Sequence, residues 1–206
     1  MDGSAVRAHR CASGLIGQSP ENDEMVALGR SRGGYSTKLH LLTDDRGNVL
    51  SMTVTAGQAH ESTEFECLMA TCMLSLFRTD ARPQQLAGDK AYSSSAIRES
   101  LTKRNIEPVI PTRSNQTTQP KFDRESYRQR NIVERVIGWL KESRRIDTRY
   151  DKLPCSYVCR HWHRANDATS RLKGPRCPMH AVVLRPLLQE SLNVHRTMEN
   201  AEELDS

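Results

Sequence analysis

The stretch Tyr127-Arg128-Gln129-Arg130-Asn131-Ile132-Val133-Glu134-Arg135-Val136-Ile137-Gly138-Trp139-Leu140-Lys141 decides the reading of this chain. At about 100° per residue, Tyr127, Arg130, Glu134 and Lys141 fall within an arc of about 60°. Ile132, Val133, Val136 and Leu140 fall on the opposite side, spread over about 100°. The pattern predicts a long helix over 124–145 that buries one face and presents tyrosine, arginine, glutamate and lysine on the other. Taken alone, Arg130 and Glu134 read as an ordinary i,i+4 ion pair on a solvated face.

Upstream of this helix the periodicity changes. Tyr35, Thr37, Leu39 and Leu41 alternate with more polar neighbours, Asp44-Asp45-Arg46-Gly47 is a turn, and 49–55 is β-branched, which together predict a β-hairpin. Residues 7–34 are glycine-rich without a sustained period and read as an irregular insertion. Phe65, Leu68, Met69, Cys72 and Leu76 recur at helical spacing, with Thr63 and Glu66 as a capping box. Gln84 to Asp89 reads as a buried strand ending at an acid. Ser93-Ser94-Ser95 caps a helix through Lys103, with Ile97 and Leu101 inward, and 107–111 is a short strand. The order β-β-α-β-α-β-α predicts an α/β fold with a mixed sheet and helices on its faces.

Composition narrows the class of function. The chain has 206 residues, a formal charge of +5 and 5% aromatic residues. The basic balance favours a polyanionic partner such as nucleic acid. The aromatic content disfavours a protein that binds single strands by stacking bases. No run approaches 18 apolar residues, and Met1-Asp2-Gly3-Ser4 carries no apolar stretch of the secretory kind. Six cysteines without a regular framework fit a reduced, cytoplasmic chain.

The spacing Tyr127-x2-Arg130-x3-Glu134-x6-Lys141 resembles, residue for residue, the YREK signature of DDE transposases of bacterial insertion sequences. The flanking text resembles the insertion-sequence-five family. Its matching segments are Gly29 to Lys38, Ala56-Gly57-Gln58-Ala59-His60-Glu61-Ser62, Ala87-Gly88-Asp89-Lys90-Ala91-Tyr92 and Arg149-Tyr150-Asp151-Lys152-Leu153. The resemblance covers residues 2–157. It implies an RNase-H-like fold, a bacterial, nucleoid-associated protein, and catalytic acids at Asp2, Asp89 and Glu134. It also implies a catalytic part without the N-terminal DNA-binding region and with the opening strand largely missing, so that this chain alone is expected to be weakly active or inactive.

The chemistry implied is phosphodiester cleavage at element ends followed by strand transfer to target DNA. Two divalent ions about 3.5–4 Å apart require converging hard oxygen ligands, and Mg²⁺ or Mn²⁺ fits Asp2, Asp89 and Glu134 in that role. One metal activates water or a 3′-hydroxyl while the other stabilises the leaving oxygen. Arg130 and Lys141 are expected to hold DNA phosphates, and Tyr127 a backbone or displaced base. Arg30, Arg32 and Lys38 form a second candidate DNA contact, with a mobile basic loop as the alternative. His60 is expected either near the acids or capping the next helix. Partners are double-stranded DNA and either a second copy of the chain or a polypeptide from an upstream frame, with no membrane.

Beyond the resemblance, 158–206 is expected to be a divergent, partly disordered tail following a catalytic domain over 1–157. Cys159-Arg160-His161-Trp162-His163-Arg164 shows no apparent apolar stripe. Cys155, Cys159, His161, His163, Cys177 and His180 raise an alternative reading as a zinc-binding interaction module, although their spacing is not that of a standard finger. Arg144, Arg145 and Arg149 read as a DNA track or a solvated helix end. The remaining alternative is an inactive transposase remnant that only binds DNA.

Overall fold

The structure, a computed structural model, describes residues 1–14, 26–31, 33–76, 82–114 and 122–170. Its centre is the predicted hairpin. Asp44 accepts hydrogen bonds at Oδ1 from the Arg46 and Asn48 amides at 2.9 and 2.8 Å, and Gly47 takes φ +87°, which a side chain would disfavour. That turn joins β3 (Gly34–Thr43) to β4 (Val49–Ala56).

β1 (Asp2–Ala8) pairs antiparallel with β3, Asp2 opposite Leu41 and Val6 opposite Thr37. Its other edge pairs in parallel with β7 (Thr148–Arg149), and β2 (Gly29–Ser31) lies on the far part of β3. The opening strand, expected to be largely missing, is thus seven residues long and has partners on both edges. A separate parallel pair follows: β5 (Gln85–Ala87) with β6 (Glu107–Val109). The Met1 amino group donates to the Ala87 carbonyl at 2.7 Å and ties the start of β1 to the end of β5.

Strand alternation sends side chains to two cores. On one face Val6, Leu39 and Leu41 pack against α4 (Asn131–Lys141) and α6 (Pro154–Ser170) through Val133, Ile137, Leu140, Tyr157 and Trp162. On the other, Leu42 meets α1 (Phe65–Leu76) and α2 (Ser95–Lys103) through Phe65, Leu68, Ile97 and Leu101. Ser94 caps α2 by accepting from the Ile97 amide at 3.2 Å, as its sequence predicts. A mixed sheet flanked by helices is the RNase-H-like arrangement that the resemblance implies.

Several expectations change. The helix predicted over 124–145 is three: α3 (Arg124–Arg128), α4 and α5 (Arg144–Asp147). At the first join Arg130, Ile132 and Val133 donate to carbonyls three residues back, so the winding tightens and a uniform wheel no longer applies. Ile137 is consequently buried and Val136 only half so. The capping box at Thr63 and Glu66 is absent, since a 3-10 turn over Glu61–Glu64 precedes α1, and Glu66 instead pairs with Arg104 at 2.8 Å.

The segment read as lacking a stripe is helical. Tyr157, Val158, His161, Trp162 and Ala165 are buried at i, i+1, i+4, i+5 and i+8. α6 runs through residue 157 unbroken, so the expected domain boundary falls inside a helix. The tail beyond it, with Cys177 and His180, lies outside the described residues, as does the His163 side chain.

Arg149 is neither a DNA track nor a solvated end: it is 0% exposed. Its guanidinium donates to the carbonyls of Val26, Ala27, Asp151 and Lys152 and to the Thr37 hydroxyl, at 2.7–3.1 Å. Burial pushes its pKa down to about 10, which still leaves it charged. This one side chain ties the insertion after β1, the central strand β3 and the start of α6 together.

Candidate active site

Asp2 opens β1, and the Gly3 amide donates to its Oδ1 at 2.9 Å. Asp89 follows β5, where its carboxylate accepts from the Lys90 amide at 2.6 Å and caps the short turn Lys90–Tyr92. The turn-capping role open to Asp89 from its sequence is therefore present. Glu61 begins the turn after β4, capped by His60, whose Nδ1 accepts from the Ser62 amide at 3.3 Å. His60 caps this short turn, not the helix after it, and directly precedes Glu61.

Asp2, Glu61 and Asp89 converge: one ligand oxygen from each lies within 4.8 Å of the others. Among the described residues, no other set of histidine, cysteine or carboxylate side chains gathers in this way. Burial raises the Asp2 pKa, and nearby Asp89 raises it too; Arg130, the Gly3 amide and the amino terminus oppose the rise. Burial also raises Glu61, with Asp2 and Asp89 adding to it against Lys38. Like charges crowded in a half-buried site are what a divalent cation relieves.

Glu134 stands apart from this trio. Its side chain is 54% exposed and accepts from Arg130 Nη2 at 2.7 Å. The other guanidinium nitrogen, Nη1, lies 3.2 Å from Asp2 Oδ2, so Arg130 links the two acids. Lys141, at the end of α4, donates to the Ala5 carbonyl at 3.1 Å. Tyr127 stacks near Phe122 and lies under the Arg130 guanidinium, 5.8 Å from its ring centroid. Arg130 and Lys141 thus reach β1, at Asp2 and Ala5, while Tyr127 and Glu134 flank Arg130.

The second group of expected DNA contacts is scattered. Arg30 is exposed on β2. Arg32 lies outside the described residues. Lys38 is 17% exposed; it donates to the Ala59 carbonyl at 2.9 Å and lies 3.7 Å from Glu61. Of the residues raised for zinc, His161 is buried, donates from Nδ1 to the Tyr157 carbonyl at 2.6 Å and stacks on that ring. Cys155 and Cys159 are free and half-buried.

Sequence reasoning missed Glu61 as a member of the site. The signal was present, because Glu61 sits in the quoted segment Ala56 to Ser62 immediately after the hairpin.

A family model described as Transposase DDE domain matches residues 2–154. A protein of Burkholderia cepacia, named as a transposase for insertion sequence element IS402, is 30% identical over 143 residues. The aligned part covers 63% of this chain and 64% of that relative, so the chain spans less than two thirds of the relative's length. No solved structure matches. No described helix is long and apolar enough to cross a membrane.

Proposed function

The chain belongs to the family of transposases with a DDE domain, and from that premise we propose that it cuts double-stranded DNA at the ends of an insertion sequence and transfers the cut strand to a target. The catalytic acids in this reading are Asp2, Asp89 and Glu134, and the cofactor is Mg²⁺ or Mn²⁺ as two ions. Membership of the insertion-sequence-five group rests on the segments quoted from the sequence.

One observation carries the reading: Asp2 on β1 and Asp89 after β5 are far apart in sequence and share a site at the adjoining ends of two strands. Strand ends of α/β sheets are where such sites form. The donor set is hard carboxylate oxygen, which fits Mg²⁺ or Mn²⁺. A divalent metal bound there supplies activation of water or a 3′-hydroxyl and stabilisation of the leaving oxygen.

The chain's own residues do the rest. Asp2 is oriented by the Gly3 amide, and Arg130 opposes the rise in its pKa that burial causes. Arg130 also fixes Glu134 beside the site. Lys141 and the exposed Arg30 offer positive charge to DNA phosphates, and Tyr127 offers a ring beside Arg130 for a nucleotide.

The test uses the purified chain and a supercoiled plasmid carrying the DNA that flanks its own gene. Because β1, whose expected loss argued for a weakly active chain, is formed and paired, nicking at the element ends in Mg²⁺ or Mn²⁺, abolished by a chelator, is the expected result. DNA binding without nicking in either metal would instead favour the DNA-binding remnant.

A further inference from the structure

We propose that Glu61 is a third carboxylate ligand of the divalent ion held by Asp2 and Asp89, presented by the turn that follows β4. This inference rests on the metal site proposed above and adds a residue to it.

The convergence of the three carboxylates within 4.8 Å is the first observation. Acids also cluster without a ligand, so the surroundings matter. The Tyr92 hydroxyl is fully buried and has no hydrogen-bond partner. Burial pushes its pKa up, and four carboxylates push it further, Glu61 most strongly, then Asp2, Glu64 and Asp89. A buried hydroxyl left unpaired is destabilising. This unpaired hydroxyl interacts with all three converging acids, and a ligand or its hydration water between them would give it a partner.

Gly3 is the second observation. A Cβ there would lie 3.0 Å from Glu61 Cδ, 3.1 Å from Cγ and 3.3 Å from Oε1. A side chain at residue 3 would press on the Glu61 carboxyl and shift it by a few tenths of an ångström. Lys38, mostly buried, lies 3.7 Å from the same carboxylate and partly balances its charge. Glu134 differs on each count: it is exposed and its Oε1 is engaged by Arg130.

Mn²⁺ binding to the full chain, followed by electron paramagnetic resonance, tests this without DNA or turnover. Water-proton relaxation reports how many waters the bound ion keeps, and thermal unfolding without metal confirms that each variant is folded. Three variants are compared: Asp89→Asn, Glu61→Gln and Gly3→Ala, the last of which keeps every carboxylate. The expected result is at least tenfold weaker binding for Asp89→Asn and for Glu61→Gln, with about one extra water on the ion in Glu61→Gln, and a few-fold weakening for Gly3→Ala. Wild-type affinity and hydration in Glu61→Gln, with binding lost in Asp89→Asn, would overturn the role of Glu61 and leave the proposed site standing. Unchanged binding in both would overturn the site itself. Should Glu61→Gln not fold, wild-type affinity in Gly3→Ala overturns the inference.

Discussion

Arg130 Nη1 lies 3.2 Å from Asp2 Oδ2, while its Nη2 lies 2.7 Å from Glu134 Oε1. One guanidinium, 12% exposed, thereby joins the first residue of β1 to the exposed face of α4. Burial raises the Asp2 pKa and Arg130 holds it back. Arg130→Gln should therefore let the Asp2 pKa climb further, and metal-dependent cleavage should lose its acid limb at a higher pH. Cleavage below that limb should fall, because less of Asp2 is ionised there. A pH–rate profile checks this, and an acid limb unmoved in the variant would remove Arg130 from the account.

Arg149→Met should be the most damaging single change to stability. It removes five hydrogen bonds, three of them buried, although Thr37 and Ala27 keep the one between them. A loss of about 3–5 kcal/mol in a urea titration is expected. Arg149→Lys should recover little, since an ammonium cannot reproduce the planar fork.

Stability should fall on mild acidification. His40 is buried with its pKa pushed down to about 3, and its Nε2 lies 2.8 Å from the Thr55 hydroxyl. His161 is buried with its pKa pushed down to about 4. Unfolded histidine takes up a proton near 6.5, so the unfolded chain binds more protons than the folded one below that pH. The buried Met1 amino group, its pKa pushed down from 8.0 to about 5, acts in the same sense from pH 8 downward. Below pH 6.5 the histidines join it, each by up to about 1.4 kcal/mol per pH unit. Asp2 and Glu61, whose folded pKa values are raised, act in the opposite direction. Denaturation between pH 6.5 and 5 should show the slope, and His40→Gln should make it shallower.

Lys141→Ala should weaken DNA binding and reduce the salt slope by about one phosphate contact. Lys141 also donates to the Ala5 carbonyl, so a small loss of stability accompanies the change. An unchanged slope in a filter-binding or anisotropy titration would assign Lys141 to anchoring β1 alone.

How much of this was legible in the sequence depended on how local the cause was. The hairpin was legible because Asp44 and Gly47 act within their own turn. The cap at Ser94 and the inward Ile97 and Leu101 were legible for the same reason. α6 was not, because its buried face includes His161 among cysteines and arginines, and only the facing sheet makes that stripe apolar enough. Arg149 misled because charge usually means solvent; its partners come from 26, 27 and 37, far back in the chain. The convergence of Glu61 with Asp2 and Asp89 is likewise a property of three separate strand ends.

Rates of Mg²⁺-dependent cleavage of element-end DNA by the chain and by its Asp89→Asn and Glu134→Gln variants test the central claim most directly. Each amide keeps the shape of the side chain and removes its negative charge, so folding should persist while the metal loses an anionic ligand. The account predicts a fall of at least a hundredfold in both variants, with thermal unfolding little changed. Cleavage at the wild-type rate in either variant would contradict the assignment of that acid, and in both would contradict the DDE chemistry of this chain.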